Sequence, residues 1–355
     1  MEYKEYYNQQ DGLKYTLQCR RKGINLPSRY NNRKEFPDEK DYTELFYFFE
    51  DKMNKTFHEN VNLGAAIEND GLLTDHGVHH INDVIRHLGE IISDIDELTG
   101  YEIFVLLLVA HFHDVGNIYG RDEHEQKIAE IMDQFDIDYF LSTPEKQFVS
   151  QIAAAHGGYT DGNKDTIGRL SADTKYANVV FRPKVLAALL RFADEISDDL
   201  NRSHYRTIKI PVENEVYHEY SKSLEPVSIE GDTICLQYNI PYELTQKTVG
   251  KGKDRVFLYD EILARIGKCM KELDYCKKYA NSLIKMSSIS IKVKILHEGS
   301  FRPIKDAGDS FRLTLQGYPN VGDNSMSFYM DRQNGNPNTG KELRYKNGKA
   351  LKDSL

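Results

Sequence analysis

Eight consecutive apolar residues, Ile103 to Ala110, run directly into His111-Phe112-His113-Asp114. A run of that length is too short to span a bilayer and reads as the middle of a buried helix. The imidazoles and carboxylate at its end are therefore carried toward a protein interior. There a carboxylate or imidazole is strongly disfavoured unless it is paired or bound to a metal. Two other segments repeat the arrangement: Asp75-His76-Gly77-Val78-His79-His80-Ile81-Asn82-Asp83-Val84, and Leu190-Arg191-Phe192-Ala193-Asp194-Glu195. Three such helices converging make a metal the simplest explanation.

The surrounding pattern is helical from about 41 to 200. Phe46, Phe49 and Met53 recur at helical spacing, as do Val84, Leu88, Ile91 and Ile92, and Ile128, Ile131 and Met132. Ser142-Thr143-Pro144-Glu145 predicts a helix start, and Pro183 opens a helix expected to run from Lys184 to about Leu200. Arg121 or Asp122 would start the helix that carries Glu125 and Lys127. Residues 1–40 read as an extended lead-in. After Asn201 the texture changes. Arg206–Pro211 alternates like a strand, Val227–Ile240 reads as a hairpin turning at Gly231-Asp232, and a long helix from Val256 to Met286 precedes a strand at Ile289–Leu296. The expectation is a mainly α protein: a helical domain at 41–200, an α+β accessory domain at 201–297, and a β-rich C-terminal segment at 298–355. That last segment holds a strand at Phe311–Gln316 and a turn-rich Asn334–Gly340 stretch.

Composition removes several classes. The formal charge of −9 argues against a protein that coats nucleic acid through its overall charge. Basic residues gather at Arg20-Arg21-Lys22, with Arg29, Arg33 and Lys34, and again after Met286, mostly as solvated faces. Four cysteines without a CxxC pair (Cys19, Cys235, Cys269, Cys276) predict reduced thiols, and the polar Met1–Glu5 predicts no signal peptide. Both suit a cytoplasmic protein with no membrane partner.

The three segments together resemble the HD superfamily of metal-dependent phosphohydrolases, whose ligands run His … His-Asp … Asp along a helical bundle. The resemblance covers roughly residues 70–200. It implies His80 as the first ligand, because Val84 follows it by four, with His79 as the competing choice. His113 and Asp114 form the signature pair and Asp194 closes the set. HD proteins with two metals add two histidines between the pair and the final Asp, a role that His124 and His156 fit, with Asp114 bridging. A surface histidine and a helix-end histidine are the alternatives there. The ligands suit Mn, Fe, Mg, Ni, Co or Zn alike. His76, four residues before His80, resembles the earlier histidine of the HNxxH stretch in cyclic-nucleotide phosphodiesterases. It is the candidate general acid, with an outer hydrogen-bonding role as the alternative.

With two ions in place, a metal-bridged hydroxide would attack phosphorus in line, and Arg121, Lys127 and Arg191 could seat substrate phosphates. The resemblance is to HD enzymes acting on small nucleotides and to HD domains of bacterial conflict and antiviral defence systems. The expected substrate is a phosphoester or phosphoanhydride in a nucleotide, hydrolysed with a divalent metal such as manganese. A single-strand nuclease acting on short nucleic acid and a dinuclear-iron oxygenase are the alternatives. The region 201–355, through the face of its long helix (Phe257, Ile262, Ile266, Met270, Leu273), is a possible homo-oligomer contact. His58, His87, His111, His204, His218 and His297 are read as structural, with His111 a possible support beneath the site.

Overall fold

A computed structural model describes residues 11–23, 34–61, 76–120, 123–134, 141–160, 162–198, 214–250, 255–297, 299–315 and 343–355. The chain divides into two compact units. One holds residues 1–70, 76–197 and 276–285, and the other holds 71–75, 198–275 and 286–355.

The first unit is mainly helical and is organised on one apolar helix. Its helices are α1 (Gly12–Arg21), α2 (Tyr42–Met53), α3 (Val78–Ile91), α4 (Gly100–Phe112), α5 (Ile128–Gln134), α6 (Thr143–Ala154) and α7 (Pro183–Glu195). Every residue of α4 is buried, as an all-round apolar helix must be. It packs against α1, α2, α3, α6 and α7. Gly100–Tyr119 is long and apolar enough by composition to cross a membrane, a wider window than the short apolar run suggests, yet nearly all of it is buried inside the protein. Its start is fixed by reciprocal hydrogen bonds: Glu102 N–H donates to Thr99 Oγ1 (3.0 Å) and Thr99 N–H to Glu102 Oε2 (2.9 Å). Ser142 and Glu145 open α6 in the same way, with Pro144 in the first turn.

Three features depart from the sequence reading. The supposed extended lead-in contains α1, which buries Leu13, Thr16, Leu17 and Arg20 along one face. Arg20 is 2% exposed and donates to Asp96 at 2.7 Å. It is thus a core ion pair and no part of a nucleic-acid surface. A hairpin, β1 (Thr174–Tyr176) with β2 (Val179–Phe181), interrupts the helical region. Residues 276–285 add an edge to the unit: Ile284 bridges Ile92, and Ser93 N–H donates to the Leu283 carbonyl at 2.7 Å.

The second unit contains a four-stranded sheet of β3 (Ser228–Glu230), β4 (Thr233–Pro241), β7 (Ser288–Leu296) and β8 (Asp309–Thr314), in the order β3-β4-β7-β8. The expected hairpin is there, with Gly231 at φ +64° in its turn. β4 and β7 pair in parallel, which requires a crossover; the chain between them includes a minor pair, β5 (Thr248–Val249) with β6 (Val256–Phe257), and a long helix, Leu258–Ala280. Of the face expected to meet a second copy, Ile262, Ile266, Met270 and Leu273 are each fully buried within the chain and Phe257 is half-buried. Residues 298–355 do not form a β-rich segment among the described residues. They supply β8 and a terminal helix, Gly348–Ser354. The expected strand at 206–211 and turn at 334–340 lie outside the described residues. None of the four cysteines is in a disulfide.

Candidate metal centre

His80 lies in the first turn of α3, His113 caps α4 with Asp114 directly after it, and Asp194 ends α7. Their ligand atoms all fall within 4.8 Å of one another, and Asp114, His124 and His156 form a second such group. Asp114 belongs to both. Its Oδ2 lies 2.7 Å from His76 Nδ1, 3.6 Å from His80 Nε2 and 3.5 Å from His113 Nε2. Its Oδ1 lies 3.2 Å from His124 Nε2 and 3.6 Å from His156 Nε2. Asp194 Oδ1 approaches His80 Nε2 at 3.1 Å and His113 Nε2 at 3.6 Å. His79 is exposed, so His80 is the histidine that joins this group.

Helix ends orient two of these rings. A helix leaves its last carbonyls without partners in the helix. His113 Nδ1–H donates to the Ala110 carbonyl at 2.8 Å, and His156 Nδ1–H to the Ala153 carbonyl at 2.7 Å. Each bond fixes the ring and its tautomer, which leaves Nε2 as the lone-pair nitrogen aimed at Asp114 in the neutral ring.

The electrostatics fit a cation. Burial alone would push the Asp114 and Asp194 carboxyls up, but the surrounding histidines, His113 foremost, hold both well below the usual carboxylate range. Burial pulls His113 down, and the two carboxylates outweigh it, raising it to about 9. Two anionic carboxylates whose side chains are 6% and 24% exposed thus need positive charge beside them. Imidazole nitrogens with carboxylate oxygens are a donor set for divalent metals, and these buried groups could hold one.

Other residues support the cluster. Arg191 Nη1 donates to Thr166 Oγ1 at 3.0 Å, and Thr166 Oγ1 donates to the Ala155 carbonyl at 2.7 Å, which ties α7 to the residue before His156. Lys127 Nζ donates to the Tyr119 carbonyl at 3.0 Å, bracing the turn after the signature pair. Arg121 lies outside the described residues. Two supports were not foreseen. Glu125 Oε2 lies 3.4 Å from His124 Nδ1, and a Cβ on Gly116 would stand 1.9 Å from the His124 carbonyl oxygen. The glycine of His-Asp-Val-Gly is the signal that could have revealed the second. His58, in a π-helical turn (Asn54–His58) that continues α2, meets His111 Nδ1 at 3.2 Å, and both rings are buried.

A buried His/Asp cluster carried on helices in this order defines an HD-type domain. The HD-CE family model matches residues 70–268, more than half of the chain, and the chain belongs to that family. No curated protein and no solved structure matches it.

Proposed function

We propose that the protein is a metal-dependent phosphohydrolase that cleaves a phosphoester or phosphoanhydride in a nucleotide, using two divalent ions that would be held by His80, His113, Asp114 and Asp194 and by Asp114, His124 and His156. The observation that carries this reading is the division of the Asp114 carboxylate, one oxygen toward His80 and His113 and the other toward His124 and His156. HD domains are usually metal-dependent hydrolases. Two bound ions would supply an acidified water and neutralise charge on the phosphoryl oxygens.

The chain's own residues do the rest. His113 and His156, locked by the Ala110 and Ala153 carbonyls, hold their Nε2 atoms in place before any ligand arrives, so little reorganisation is needed. His76, 5% exposed and with its Nδ1 2.7 Å from Asp114 Oδ2, lies at the edge of the group and is the proposed general acid for the leaving oxygen. Lys127 uses one of its three donors on Tyr119, and the others, with Arg121, are the proposed phosphate contacts.

The test is metal content together with hydrolysis of a nucleotide and oligonucleotide panel, for the wild type and Asp114→Ala. The expected result is two equivalents of divalent metal, turnover of a small nucleotide, and loss of both in the variant, with activity down more than about a hundredfold. Iron with oxygen consumption and no hydrolysis would replace this reading with an oxygenase. A metal-free, inactive wild type would end it.

A further inference from the structure

The second unit carries a cleft of about 580 Å³ beside β7 and β8, a volume in the range of small-molecule sites. Its walls hold Lys292, Lys294 and Arg344. The two lysines are two residues apart on one strand and so share a face of the sheet; that face is open, because the alternate residues Ile291, Val293 and Ile295 are the buried ones. Among the described residues no carboxylate lies within ion-pair distance of either lysine or of the Arg344 guanidinium.

Arg344 reaches the cleft from a distant part of the sequence and is held there. Its N–H donates to Asp309 Oδ2 at 3.1 Å and its Nη1 to the Gly308 carbonyl at 3.2 Å. Asp309, the acid of the lining, is 9% exposed and already satisfied: Tyr259 O–H also donates to Oδ2 at 3.1 Å, and Ser310 N–H to Oδ1 at 2.8 Å. At Gly308 a Cβ would stand 2.2 Å from the Val293 carbonyl oxygen, so this part of the lining is bare backbone. Pro303 and Ile304 provide an apolar side.

The geometry points to a binding site for a mononucleotide, with its phosphates on Lys292, Lys294 and Arg344 and its base against Pro303 and Ile304. Three cations with no carboxylate partner among the described residues, around one concavity, call for an anion with several oxygens. They line one cleft, on a chain whose formal charge is −9, which favours a small anion over a nucleic-acid backbone. This site lies wholly within the second unit and does not rest on the chemistry proposed for the metal centre.

The test uses the full chain carrying Asp114→Ala, which disables the metal centre, and calorimetric titration with ATP, inorganic phosphate and a single-stranded oligonucleotide. ATP is expected to bind with unit stoichiometry and more tightly than phosphate. Adding Lys292→Ala with Lys294→Ala should weaken it at least about tenfold, the loss of one charge-assisted contact, with an unchanged thermal midpoint. Should that double variant fail to fold, Arg344→Gln reads the same loss. The site is overturned if these substitutions leave ATP affinity intact, or if Asp114→Ala alone abolishes binding. Equal affinity for phosphate and ATP, or tighter binding of the oligonucleotide, overturns the nucleotide assignment.

Discussion

At Gly116 the chain passes so close to His124 that a Cβ would stand 1.9 Å from a backbone oxygen, which cannot swing aside as a side-chain tip can. Gly116→Ala is therefore expected to destabilise the fold by about 1–3 kcal/mol and to displace His124. Urea denaturation and metal analysis of the variant would read both effects. His58 gives a pH prediction. Burial pulls its pKa from the ordinary histidine value to about 3, so between pH 3 and 6.5 the unfolded chain binds a proton that the folded chain excludes. Stability contributed by neutral His58 is complete above pH 6.5 and falls below it, by about 2 kcal/mol at pH 5. The loss of stability from pH 7 to pH 5 should be smaller by about that amount in His58→Gln. Part of the cluster was legible because His80, His113, Asp114 and Asp194 lie beside apolar helical stretches, whereas His124, in a polar segment, and His156 were reached only through the family resemblance. His58 was not, since nothing in the spacing of α2 announces a π-helical turn that carries the ring inward. His156 taught the converse: ending a helix looked like the ordinary explanation, and it is what supplies the carbonyl that orients the ring.

Among the elements, α4 depends on Glu102, which closes the helix cap and also receives Arg182 Nε at 2.8 Å and Arg182 Nη2 at 3.0 Å. Glu102→Ala removes the side-chain half of the cap, the acceptor of the Thr99 N–H, and leaves the Arg182 guanidinium without this carboxylate. A loss of about 3 kcal/mol is expected, and Glu102→Gln, which can still cap, should lose less in the same denaturation assay. The helices with strong apolar stripes or proline-marked starts, α2, α6 and α7, could be read directly. α1 could not, because its inward face mixes two leucines with Thr16 and Arg20, and a buried arginine makes sense only once Asp96, far along the chain, is placed beside it. The β1–β2 hairpin was equally hidden, with strands too short to establish a period of two.

For the molecule as a whole, the order of residues and the order of units differ. All the proposed ligands precede residue 198, yet the first unit also needs 276–285, which contribute the Ile284–Ile92 bridge, the Ser93–Leu283 hydrogen bond and the Tyr279–Asp165 hydrogen bond at 2.6 Å. A chain truncated after Asp198 is expected to melt at a lower temperature than the full protein and to expose apolar surface, read by dye binding. An equal melting temperature would show that the segment adds nothing. This dependence was invisible in sequence, where the change of texture at 201 looks like a clean boundary.

The parallel pairing of β4 with β7 has a consequence for how the protein is made. A ribosome delivers β4 long before its partner, and that strand must wait, half-paired, while the whole intervening helix is synthesised. The same helix leads into the last piece of the first unit, residues 276–285, on the way. Neither unit can therefore finish while the chain is still short: the first needs residues as far as 285 and the second needs residues as far as 355.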